Sequence, residues 1–148
     1  IEDYASADIA EFQEIIRPLG LYRSKAHNIK NACQIMMEKF DSRVPETMQE
    51  LLGLPGVARK SANVILYYAY GLVEGIAVDT HVKRLSRRLG LTSEKNPDKI
   101  EQDLCQIIPR QDWHNINHLF IAHGRAVCKA PTPQCMNCAL YSICPSRL

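Results

Sequence analysis

Four of the six cysteines fall at Cys128, Cys135, Cys138 and Cys144, with six, two and five residues between successive members. No other feature constrains the fold as much. Four thiols so close in sequence either cross-link the tail or wrap one metal centre, and either outcome spares this segment a hydrophobic core of its own. No charged-then-apolar leader opens the sequence and no apolar run is long enough to span a bilayer, so the chain is expected to be soluble, intracellular and reduced. Reduced thiols favour a metal, and four cysteine ligands admit either a structural Zn²⁺ or a [4Fe-4S] cluster. A zinc ribbon usually presents two Cys-x-x-Cys pairs, whereas this run has one, at Cys135 and Cys138. That favours the cluster, with zinc as the alternative. Cys33 and Cys105 lie inside helical patterns and read as buried small apolar residues.

The remaining sequence is helical throughout. No stretch alternates apolar and polar residues for long enough to make a sheet, so the expected class is all-α. Helical spacing runs over Asp8–Ile16, Ser24–Phe40, Glu46–Leu52, Ala58–Tyr70, a segment opened by Asp79 and closed at Gly90, Pro97–Ile108, and His114–Cys128. The cysteine tail is expected to be irregular. This organisation suggests a helical lobe over residues 1–108, containing a hairpin at about 47–70, and a C-terminal helix with a metal loop over 109–148. Eighteen basic and sixteen acidic residues nearly cancel. Lys83, Arg84, Arg87 and Arg88 are nevertheless clustered, as a phosphate-binding face or a solvated helix surface would be. A faint internal echo lays Gly20–Ala26 over Gly56–Ala62, although any helix preceded by a glycine turn would give the same match.

Two further segments carry chemical potential. In Leu51-Leu52-Gly53-Leu54-Pro55-Gly56-Val57-Ala58-Arg59-Lys60, Gly53 and Gly56 permit positive φ on the way into a helix, and Pro55 fixes the turn. Amides at the start of that helix would face an anion such as a DNA phosphate, which positions DNA without reading its sequence. In Val78-Asp79-Thr80-His81, Asp79 is well placed to cap the following helix. Lys60, in the first turn of its helix, meets the positive end of the helix dipole, and an amine made less cationic there is a nucleophile. An aspartate nearby could shuttle a proton or stabilise a cationic sugar, a combination suited to attack at an anomeric carbon.

Taken together and in this order, the hairpin, the Val78–His81 segment and the cysteine run resemble the endonuclease III family over essentially the whole chain. The resemblance implies a helix-hairpin-helix DNA glycosylase fold with a [4Fe-4S] cluster held by Cys128, Cys135, Cys138 and Cys144. It implies that Lys60 is the catalytic lysine and Asp79 the catalytic aspartate. It also implies that Leu21 is the wedge filling the duplex when a damaged nucleotide is flipped out. By the same resemblance Leu54, Gly56, Val57, Arg59, His81 and Arg84 contact DNA. Related adenine glycosylases carry serine at the position of Lys60, and thymine-mismatch enzymes carry tyrosine. Lysine therefore implies a bifunctional DNA glycosylase and abasic-site lyase acting on oxidised pyrimidines, through a Schiff base and β-elimination 3′ to the abasic site. The implied partner is double-stranded DNA bearing a damaged base or abasic site, bound by a monomer. The implied location is the cytoplasm and nucleoid of a prokaryote, or the nucleus or mitochondrion of a eukaryote. The alternatives are a monofunctional or mismatch-specific glycosylase, a catalytically silent DNA-binding module, and a zinc-binding interaction domain. Ala58 replaces a common family glycine, and an N-terminal helical segment that the family carries is expected to be missing.

Overall fold

The computed structural model describes all 148 residues, and every regular element is a helix. Eight α-helices occur in order: α1 Glu2–Ser6, α2 Ile9–Ile15, α3 Tyr22–Lys39, α4 Met48–Leu52, α5 Arg59–Tyr70, α6 Thr80–Arg88, α7 Pro97–Ile107 and α8 Trp113–Ala126. Single 3₁₀ turns cover Arg110–Asp112 and Cys135–Asn137. No helix is long and apolar enough to cross a membrane.

Local chemistry sets most of the boundaries. Asp8 starts α2 by accepting from the amides of Ala10 and Glu11, and Asn96 starts α7 in the same way, with Pro97 at its first position. Thr47 accepts from the Glu50 amide, so α4 begins at Met48 and not at Glu46. The segment anticipated from Ser24 instead begins at Tyr22, behind Leu21 in the left-handed conformation. The short α1 escapes a periodicity reading because five residues make little more than one helical turn. The helix expected to reach Cys128 stops at Ala126, and the Cys128 amide instead bonds the His123 carbonyl at 2.9 Å.

Two compact units result, Ile1–Ala58 and Arg59–Leu148. In the first, α1 and α2 pack on α3. The Lys30 amine donates to the Ala7 carbonyl, the Gln34 amide donates to that of Ala5, and the rings of Tyr4 and Phe12 lie 5.7 Å apart. The second is built round Ile76, Val78, Val82, Ile100 and Leu104, flanked by Trp113, Ile116 and Phe120. This core draws on the loop after α5 and on α6, α7 and α8. Burial of its aliphatic groups therefore fixes the segment that leads to Asp79.

Candidate functional site

Between α4 and α5 the chain turns through Gly53–Ala58. Of the two glycines expected to need positive φ, only Gly56 uses it, at +77°, while Gly53 sits at −75° in ordinary helical space. Gly56 is also sterically required. A Cβ there would lie 2.8 Å from the Cβ and Nδ2 of Asn28. The Leu54 amide donates to the Leu51 carbonyl and the Val57 amide to that of Leu54, each at 3.1 Å, so both are engaged inside the turn. The Leu54 side chain is buried, and Gly56 keeps its N–H outside these turn bonds.

Lys60 follows as the second residue of α5 and is exposed. It stands at a cavity of about 210 Å³ whose other walls include Asn63, Tyr67, Gly75, Ala77, His114 and Asn117. The Tyr67 ring stacks on His114 with centroids 4.9 Å apart, and the Tyr68 hydroxyl pairs with His118 Nε2. The Asn117 amide donates to the Ala77 carbonyl at 2.9 Å, tying α8 to the segment that leads into Asp79. Asp79 Oδ1 accepts from the amides of His81 and Val82, both at 2.8 Å, as its cap role requires. The cap uses Oδ1 alone and leaves Oδ2 outside it. Lys60 and Asp79 form no ion pair with each other.

The other nominated residues are divided in their engagement. Arg59 donates from Nε to Glu101 Oε2 at 2.6 Å, and this bond raises the guanidinium pKa further above its usual value. His81 Nδ1 lies 3.2 Å from Arg84 Nη2, which also donates to the carbonyls of Gly124 and Cys128. Gly124 makes room for both, because a Cβ there would come within 2.6 Å of His81 Nδ1 and 2.8 Å of Arg84 Nη2. Leu21 stands apart, with 81% of its surface exposed.

The four tail cysteines line one cavity with Leu85, Leu89, His123, Val127 and Tyr141. Arg88 reaches it from α6 and donates to Cys128 Sγ at 3.3 Å, while its other bonds hold the carbonyls of Lys129 and Ala130. His123 Nε2 lies 3.6 Å from Cys138 Sγ. No group of three cysteine, histidine or carboxylate side chains has the close approach a single ion needs. Four thiols lining one cavity are the donor set that either a [4Fe-4S] cluster or a structural zinc would take. Cys33 and Cys105 take no part. Burial pushes both thiols above their ordinary pKa, and the Glu101 charge adds to the effect at Cys105.

Sequence reading missed Glu101, Asn63 and His123, and took Arg88 for part of a basic face and not for a partner of Cys128. Arg59 and Glu101 are 42 residues apart and Arg88 and Cys128 are 40 apart, so no local pattern could pair them. The one available sign was Gly75, a glycine opening directly onto the apolar Ile76-Ala77-Val78.

A family model for HhH-GPD superfamily base excision DNA repair proteins matches residues 1–110. An endonuclease III from Synechocystis is 53% identical over 142 residues, covering 96% of this chain and 65% of the relative. An endonuclease III from Thermotoga maritima is 38% identical, covering 97% of this chain and 67% of the relative. Among solved structures, a trapped endonuclease III–DNA covalent intermediate in an estranged-adenine complex superposes with a TM-score of 0.92. It is 42% identical, covering 98% of this chain and 68% of that one. The chain thus spans about 65% of the length of the first curated relatives it matches.

Proposed function

The chain belongs to the HhH-GPD superfamily of base excision DNA repair proteins and, within it, to the endonuclease III family, and from that premise we propose that it is a bifunctional DNA glycosylase and abasic-site lyase. Its substrate is double-stranded DNA carrying an oxidised pyrimidine or an abasic site. The observation that carries this reading is the placement of Lys60. An exposed primary amine sits in the first turn of α5, at the rim of a cavity, four residues after the positive-φ Gly56.

In this reading the hairpin receives DNA phosphate through backbone groups, the Gly56 N–H among them, and Lys60 attacks C1′ of the flipped nucleotide. The C1′–N bond breaks and its electron pair leaves with the base. Loss of a proton from the nitrogen and opening of the sugar give an imine, and removal of a C2′ proton expels the 3′ phosphate. Asp79 keeps Oδ2 for stabilising the cationic sugar or relaying a proton, while Oδ1 caps α6. On α6, Lys83 and Arg87 are the cations best suited to phosphate, since Arg84 and Arg88 are engaged with the Cys128–Ala130 loop. Leu21 is read as the residue that fills the vacated stack.

Cys128, Cys135, Cys138 and Cys144 would hold a [4Fe-4S] cluster that fastens the tail, residues 128–148, to α6 and α8. Such a group couples metal binding to folding of the tail. The protein would act as a monomer wherever its DNA lies: in the cytoplasm and nucleoid of a prokaryote, or in the nucleus or mitochondrion of a eukaryote. A decisive test incubates the whole protein with an abasic-site duplex and borohydride. A stable cross-link is expected, because borohydride reduces an imine to an amine; release of an oxidised pyrimidine from a damaged duplex, with no cross-link to the abasic one, would contradict the lyase reading in favour of a monofunctional glycosylase. Purified protein should carry iron and the visible absorption of an iron-sulfur chromophore, whereas colourless protein with stoichiometric zinc would overturn that assignment.

A further inference from the structure

Glu101 is the one charged residue among the buried side chains, with 4% of its surface exposed. A buried carboxylate demands partners, and its own are specific. Oε2 accepts from Arg59 Nε at 2.6 Å and Oε1 from Asn63 Nδ2 at 3.0 Å. Arg59 and Asn63 are one turn apart on α5, and Lys60 lies between them. The third wall is Gly75, in the loop from α5 toward Asp79. A Cβ on Gly75 would sit 1.9 Å from Oε1, so the glycine leaves the space that the carboxylate fills.

We propose that Glu101 is a positioning residue for Lys60, acting through Arg59 and Asn63 to fix the first turn of α5. Nothing in the cleavage chemistry described above uses Glu101, and its carboxylate points at the helix and not at a reacting atom. The clasp gathers α7, the first turn of α5 and the Gly75 loop at one point. Asn63 and Gly75 also line the cavity that Lys60 borders. Because Glu101 can only accept, Asn63 must turn its NH₂ toward it, and this leaves Asn63 Oδ1 buried and without a partner. The clasp thus also orients an unsatisfied acceptor on the wall of that cavity. A shift of about 1 Å in a reacting group can cost on the order of a hundredfold in rate. A charge-tied first turn therefore keeps the amine in register.

This inference rests on Lys60 being the nucleophile, and the test separates the two. Single-turnover borohydride trapping with saturating abasic duplex gives a rate constant, which reports positioning, and an amplitude, which reports the folded fraction. For Glu101→Gln and Arg59→Lys the rate constant should fall about tenfold, with amplitude in both, and duplex affinity in Glu101→Gln, within about twofold of wild type. Arg59 is half-buried, so Arg59→Lys supplies folded protein if Glu101→Gln does not. An unchanged rate constant with reduced amplitude would make the clasp purely structural and overturn the proposal. Lys60→Gln run alongside should give no adduct; a wild-type yield from it would instead overturn the choice of nucleophile, and the inference with it.

Discussion

The entries to α3 and α5 begin with similar sequences, Gly20-Leu21-Tyr22-Arg23 and Gly56-Val57-Ala58-Arg59, yet use the glycine differently. At the second entry Gly56 itself takes the left-handed conformation, at φ +77°, against the Asn28 side chain. At the first, Gly20 has nothing within 4 Å of where a Cβ would be, and the left-handed position passes to Leu21, at φ +59°. One loop puts its unusual backbone where glycine relieves it. The other imposes it on a large apolar side chain left in water, an arrangement that packing does not explain and that a wedge into a base stack would.

The largest expected effect comes from breaking the first half of that comparison. Gly56→Ala combines a positive φ with a 2.8 Å clash and should cost about 2–3 kcal/mol in denaturant melts. Gly20→Ala should stay within about 0.5 kcal/mol. Equal costs would mean that the two turns are alike after all. Leu21→Gly sharpens the second half. Relief of the backbone should raise stability by roughly 0.5–1 kcal/mol, while affinity for an abasic duplex falls. A variant that gains stability and keeps full affinity would show Leu21 to be an exposed residue with no role in DNA binding.

A similar division runs along α6. Reversing Lys83 and Arg87 together should lower the salt dependence of duplex binding by about two in slope, one per phosphate contact. Arg88→Gln should leave that slope unchanged and instead speed loss of metal to a chelator. If Arg88→Gln lowers the slope and Lys83 with Arg87 do not, the two sets have been assigned the wrong way round. The smallest effect concerns Cys105, whose thiol is held above its ordinary pKa by burial and then by the Glu101 charge. The thiolate is the reactive form, so alkylation of Cys105 should stay slow through the usual thiol range and rise only at higher pH. In Glu101→Gln the rise should begin earlier.

What could be read from sequence follows the range of the interactions. Asp79 as a cap was legible because donor and acceptor lie two and three residues apart. The convergence of the tail cysteines on one cavity was legible because their spacing is short. The role of Arg59 was not, since its carboxylate partner lies on another helix. For the same reason Arg84 and Arg88 read as a basic surface, although their guanidiniums are engaged with carbonyls far along the chain. Gly53 and Gly56 looked equivalent as letters. The left-handed backbone of Gly56 and the proximity of Asn28 separate them.

In the proposed reaction, binding and chemistry reside in different groups of one hairpin, backbone amides for the phosphate and the Lys60 amine for the sugar. Lys60→Gln removes the amine and leaves the amides, so borohydride trapping and strand cleavage should both disappear while affinity for an abasic duplex stays within about threefold of wild type. Trapping that persists at the wild-type level in Lys60→Gln would contradict the account.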